Sequence, residues 1–101
     1  MRIEMSKIGT KLDSRPNGRE ASLALQPTVR SLKEGESLIL DFKNVELLTP
    51  SFADEFVTPL IETYGGRIEL QNTQKNASVR ETLAFLAEGW PPKFDGSDWL
   101  P

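Results

Sequence analysis

No cysteine and no histidine occurs in the chain. These absences exclude disulfide staples, thiolate nucleophiles, the commonest zinc ligands, Ser-His-Asp triads and any histidine phosphorelay within the chain. Chemistry would have to use hydroxyls, carboxylates, amines or a bound cofactor, and no motif asks for a metal or a cofactor. No apolar run approaches the roughly 20 residues that span a bilayer. Met1-Arg2-Ile3-Glu4 also lacks the apolar segment of a signal peptide, so no membrane partner is expected and the cytoplasm is the expected compartment. The 12 basic residues are scattered singly in a chain of net charge −3. A protein that neutralises several phosphates clusters them, so nucleic acid is not an expected partner. A glycine-rich phosphate cradle is missing as well. Asp95-Gly96-Ser97-Asp98 is too short for a calcium loop and reads as a turn. Asn76-Ala77-Ser78 has the form of a glycosylation triplet, but without a secretory signal it reads as a turn leading into a helix.

What is present is one ordinary soluble domain: 101 residues, 38% apolar and 27% charged. It is organised around Glu36 to Tyr64. Leu38-Ile39-Leu40 is a short unbroken apolar run closing on Asp41-Phe42, the pattern of a central strand. The helix that follows has two candidate starts: Thr49 capping with Pro50 at the first position, or Ser51 capping with Asp54 three residues on. Either start is expected to put Asp54 and Glu55 in the first turn, at the positive end of the helix. Phe52, Phe56, Val57, Leu60, Ile61 and Tyr64 form a broad apolar stripe, Pro59 is expected to bend the helix, and Gly65-Gly66 ends it.

Around this centre, Arg2 to Ile8 alternates as a strand with one covered face. Lys11-Leu12-Asp13 is a candidate short second strand closing an N-terminal hairpin. After the turn-rich Ser14-Arg15-Pro16-Asn17-Gly18, residues Ala21, Leu25, Val29 and Leu32 recur at helical spacing, with Gly35 just past the end. Pro27 is expected to kink this helix or split it in two. Arg67 to Gln71 alternates as a third main strand, and Ser78 with Glu81 reads as the capping box of a third helix bearing Val79, Leu83 and Leu86. Were Gly89 left-handed, Trp90 would pack back on Phe85. Residues 1–89 thus form the domain, and residues 90–101, rich in proline and tryptophan, form a tail expected to lie on the domain or on a partner. The fold class is α/β: a small open sheet, mainly parallel, with helices mostly on one face.

Leu12-Asp13-Ser14-Arg15 before the first helix, Asp41-Phe42-Lys43-Asn44-Val45 on the strand and Ser51-Phe52-Ala53-Asp54-Glu55-Phe56 opening the second helix carry a resemblance over residues 1–88. They resemble the STAS-like domain family of unknown function, relatives of the STAS fold of anti-sigma-factor antagonists. The resemblance implies a non-enzymatic regulatory module that binds another protein, an ATP-binding kinase-type regulator being the partner the family suggests. It also implies control by phosphorylation at the start of the second helix. The usual Asp-Ser pair of that pattern falls on Thr49-Pro50, which leaves Ser51 one position late, so Ser51 and then Thr49 are the candidate phosphorylation sites. Thr49, Pro50, Ser51, Asp54 and Glu55 make the candidate partner-binding edge, with Arg15 and Asp41 as a candidate supporting ion pair. The alternative is a small hydrolase or a ligand- or metal-binding domain using Asp41, Asp54 and Glu55. The residues themselves leave open which protein is the partner, and the oligomeric state.

Overall fold

Leu38 and Leu40 are wholly buried and Ile39 partly so, as a run apolar on both of its faces requires. They form β3 (Leu38–Asp41). In the computed structural model, which describes residues 1–90, this strand lies between β1 (Arg2–Glu4) and β5 (Ile68–Gln71), both parallel to it. The register puts Ile3, Leu40 and Leu70 in one row, on the face shared by Leu38 and Ile68; Arg2, Ile39 and Glu69, and then Glu4, Asp41 and Gln71, make the rows of the other face. Each crossover adds its strand on the same side of the last. Right-handed connections of that kind lay their helices on a single face. The helices α1 (Arg15–Arg30) and α2 (Pro50–Tyr64) occupy the two crossovers, and α3 (Ala77–Ala87) packs on α2. One sheet face is therefore covered and the other carries polar side chains.

The short strand expected at Lys11 is present, but not in a hairpin. Met5–Lys7 wind into a single 3-10 turn that buries Met5 and carries the chain away from β1. The strand β2 (Lys11–Leu12) then pairs in parallel with β4 (Leu47–Leu48), making a second, two-stranded sheet.

Three other expectations are corrected. The turn-rich Ser14–Gly18 is a helix start: Ser14 is the N-cap, its Oγ accepting from the Asn17 N–H at 3.2 Å, and Pro16 sits in the first turn, where a missing N–H costs nothing. The same helix is not divided at Pro27. That proline is exposed, as is Leu23, whose carbonyl loses its partner and can be hydrated. In α3 the cap is Asn76, accepting from the Val79 N–H at 3.0 Å, and not the Ser78–Glu81 box. Ser78 is used elsewhere.

At the end of α3 the expected Trp90–Phe85 pair gives way to a core contact. Gly89 is not left-handed, and the Gly89 and Trp90 N–H groups close the helix on Leu86 and Ala87 at 3.0 and 3.1 Å. Trp90 is then 7% exposed within the core cluster, its Nε1 donating to Thr58 Oγ1 at 3.0 Å, while Phe85 is left 64% exposed. The expected docking of the tail beyond Trp90 falls outside the described residues.

Candidate functional site: the shared start of two helices

Because β2 and β4 run parallel, Leu12 and Leu48 end side by side, and the helices that follow them start side by side. The Thr49 N–H donates to the Leu12 carbonyl at 3.0 Å and ties the two ends together. Of the two candidate caps for α2, Thr49 is the one that forms: its Oγ1 accepts from the Phe52 N–H at 3.3 Å, with Pro50 as the first helical residue. Ser51 follows, partly buried, and its hydroxyl makes no hydrogen bond to any described residue. With Thr49 as cap, Asp54 and Glu55 fall beyond the first turn, contrary to expectation. The helix dipole fades within that turn, so their stabilisation comes from another source.

That source is α1. Arg15 Nη1 donates to Asp54 Oδ2 at 3.2 Å and to Glu55 Oε1 at 3.0 Å, and Arg19 Nη2 stands 3.6 Å from the same Glu55 oxygen. Glu55, and after it Asp54, hold the Arg15 guanidinium protonated even more firmly than usual. The helices come close enough for this because residue 18 is glycine: a Cβ there would stand 2.6 Å from the Phe52 carbonyl oxygen and 3.0 Å from the Phe52 Cα. Arg15, Gly18 and Arg19 lie at helical spacing, so one face of α1 carries both the close approach and the cations.

Asp41 is not part of this cluster, and the expected Arg15–Asp41 pair is not made. Asp41 lies on the open-face rows of the sheet, where Arg2 Nη2 donates to its Oδ2 at 2.6 Å and Asn72 Nδ2 and the Lys43 N–H donate to its Oδ1 at 2.6 and 3.0 Å. Burial pushes the Asp41 carboxyl up, but the donors from Asn72, Lys43 and Arg2 together outweigh it and hold the group below the usual carboxylate range. Arg2 reaches further to Gln71 Oε1 at 2.9 Å, spanning β1, β3 and β5. The structure thus brings Arg15 together with Asp54 and Glu55 and leaves Asp41 with Arg2. Among the described residues no group of three or more carboxylates could hold a metal ion, and no helix is long and apolar enough to cross a membrane.

The model of the STAS-like domain of unknown function matches residues 26–77. The chain belongs to this family. No curated protein and no solved structure matches it. The matched span of the STAS-like domain includes β3, β4, the whole of α2 and β5, but not Arg15, Gly18 or Arg19. Membership suggests a regulatory module at most.

Two residues that hold the edge of this STAS-like domain were not foreseen. Ser78 Oγ accepts from the Leu48 N–H at 3.0 Å and stands 3.1 Å from the Leu48 carbonyl, to which Thr82 Oγ1 donates at 2.7 Å. Two α3 hydroxyls thereby occupy the outer edge of β4, in place of another strand. Ser78 and Thr82, four residues apart beside the Val79 and Leu83 stripe, are the signal that could have revealed them.

Proposed function

We propose that this STAS-like domain is a non-enzymatic regulatory module that binds another protein through the start of α2, with Thr49, Pro50 and Ser51 at the centre and Asp54 and Glu55 at the rim. The observation that carries the reading is the contrast between two neighbouring hydroxyls. Thr49 is engaged as the cap, whereas Ser51, one step inside the helix, has no hydrogen-bond partner among the described residues. Ser51 is accordingly the favoured control point. A phosphate there would gain from the helix N-terminus and meet Asp54 and Glu55, three and four residues on. Arg15 and Arg19 already offset much of that acidic charge. The modification would then act on the surface offered to a partner, such as an ATP-binding kinase-type regulator, more than on folding.

The test isolates the protein from its native host, records the phosphorylation of Ser51 and Thr49 by mass spectrometry, and measures binding of the recovered partner. Ser51→Asp, and Asp54→Ala combined with Glu55→Ala, are first checked for retained fold; each is expected to weaken binding. Phe85→Ser, at the side chain that α3 leaves 64% exposed, is the control. Parent-like binding by both edge variants, with loss in Phe85→Ser, would move the interface to α3.

A further inference from the structure

The two outer edges of the small sheet are treated differently. Leu48 on β4 has both backbone groups taken by Ser78 and Thr82. At β2, the Thr10 and Leu12 carbonyls accept from the Leu47 and Thr49 N–H groups at β4, so by alternation the N–H and C=O of Lys11 turn outward. No hydroxyl or strand meets them among the described residues. Beside this open edge lies a groove of about 270 Å³ lined by Lys11 and by Glu20, Ala21 and Ala24 of α1, with Phe52 and Ile8, 43% exposed, also among its lining residues. The small side chains of Ala21 and Ala24 leave the room. Lys11, Asp13 and Glu20 are the charged groups around it, and none joins an ion pair among the described residues.

We propose that this groove takes an extended peptide segment of a partner protein, which pairs with the free backbone of Lys11 as an added strand, sets an apolar side chain over Ala21 and Ala24, and presents a Lys or Arg to Asp13 and Glu20. Strand addition between a sheet edge and a helix takes affinity from main-chain hydrogen bonds and specificity from alternate side chains. Two carboxylates against one ammonium select a basic segment. A second copy of this chain fits less well, because each copy carries a net charge of −3 and would bring the same sign to the contact. The groove adjoins the start of α2 at Leu12 and Phe52, but its lining includes none of Thr49, Pro50, Ser51, Asp54 and Glu55, and binding there does not depend on phosphorylation of Ser51.

The experiment selects binders to the full-length protein from a random dodecapeptide library and maps the enriched peptides by amide chemical shifts. Expected are peptides holding an apolar and a basic residue that move the amides of Lys11 to Asp13 and Asn17 to Ala24. Their binding should fall by about tenfold or more in Glu20→Lys, and likewise in Ala24→Trp, which fills the groove. N-methylation of the peptide at alternate amides should have the same effect with the protein unchanged, and Ser51→Asp should bind as the parent does. Enrichment no greater than on Ala24→Trp would overturn the proposal, as would indifference to N-methylation and to Glu20→Lys. So would loss in Ser51→Asp alone, which would assign the peptides to the α2 edge. Shifts confined to Lys11 to Asp13 that grow with protein concentration alone, with sedimentation as a dimer, would give the edge to a second copy.

Discussion

The helices α1 and α2 start at the same edge, are capped by a Ser and a Thr hydroxyl, and each continue through an internal proline, yet α2 buries six residues and α1 two. In α2, Phe52, Phe56 and Leu60 with Ala53, Val57 and Ile61 form a stripe two residues wide, and the Phe52 and Phe56 rings stack at 5.8 Å. In α1 only Gly18 and Val29 are buried, and Leu23 is 66% exposed. The same local devices begin both helices; what separates them is the width of the apolar stripe. The core-forming helix has little freedom to change, while its neighbour, pinned near one glycine and two arginines, offers a face to solvent.

The sharpest way to break this comparison is to cut one large side chain from each helix. Phe56→Ala should cost about 3–5 kcal/mol, a large part of the roughly 5–15 kcal/mol that holds a domain of this kind together. Leu23→Ala should stay within about 0.5 kcal/mol of the parent. Urea denaturation followed by circular dichroism measures both, and comparable losses would make α1 a core helix too.

Gly18 joins the two halves of the comparison. Alanine is the better helix former by about 1 kcal/mol at an open position. Here its Cβ meets backbone of α2, which cannot swing aside as a long side chain could. The overlap should win, with Gly18→Ala destabilising by about 1–3 kcal/mol and loosening the Arg15 contacts. A stabilised variant would mean that the helices do not approach so closely.

Most of the fold was legible because it rests on periodicity. The continuous run at Leu38, the stripe from Phe52 to Tyr64 and the alternation at Ile68 each fix an element, and single-direction right-handed crossovers fix the covered face. Pairing of two-residue strands has no such signature, so the union of β2 with β4 was hidden and a hairpin was the natural expectation. At the edge, a short hydroxyl beside a strand or helix end can serve as cap or as bridge, and the sequence does not distinguish them. Ser78 fits a capping box but bridges to Leu48, while Asn76 caps. Arg15 and the acids at 41, 54 and 55 were visible as one cluster, but which carboxylate Arg15 takes was not, since it depends on where α1 begins. Gly18 falls in step with Ala21 and Leu25 and could have been read as a close-packing position.

A smaller effect separates the two acidic sites. Asp41 is 5% exposed and held below its ordinary pKa, whereas Asp54 and Glu55 pair in reach of solvent. A carboxyl depressed on folding adds stability that is present above its unfolded pKa, about 3.9, and is lost as pH falls through the lower folded value. Asp41→Asn should therefore cost about 1–2 kcal/mol at neutral pH, and its difference from the parent should shrink as pH falls below that unfolded value. Parallel curves at all pH values would show that Asp41 is not the group responsible.

The smallest expected effect is also the one that bears most directly on the proposed site. Thr49 and Ser51 differ by two positions and by one hydrogen bond. Removing the Thr49 hydroxyl orphans the Phe52 N–H at the first turn of the most buried helix, so Thr49→Ala should cost about 1 kcal/mol. Thr49→Ser, which keeps the acceptor, should recover most of that loss. Ser51→Ala removes a hydroxyl with no partner among the described residues and replaces serine with a better helix former, so it should change stability by about 0.5 kcal/mol or less. Thermal unfolding of the three variants beside the parent decides the matter. Should Ser51→Ala cost as much as Thr49→Ala, the Ser51 hydroxyl is a structural group like its neighbour, and the case for a free control point at the start of α2 fails.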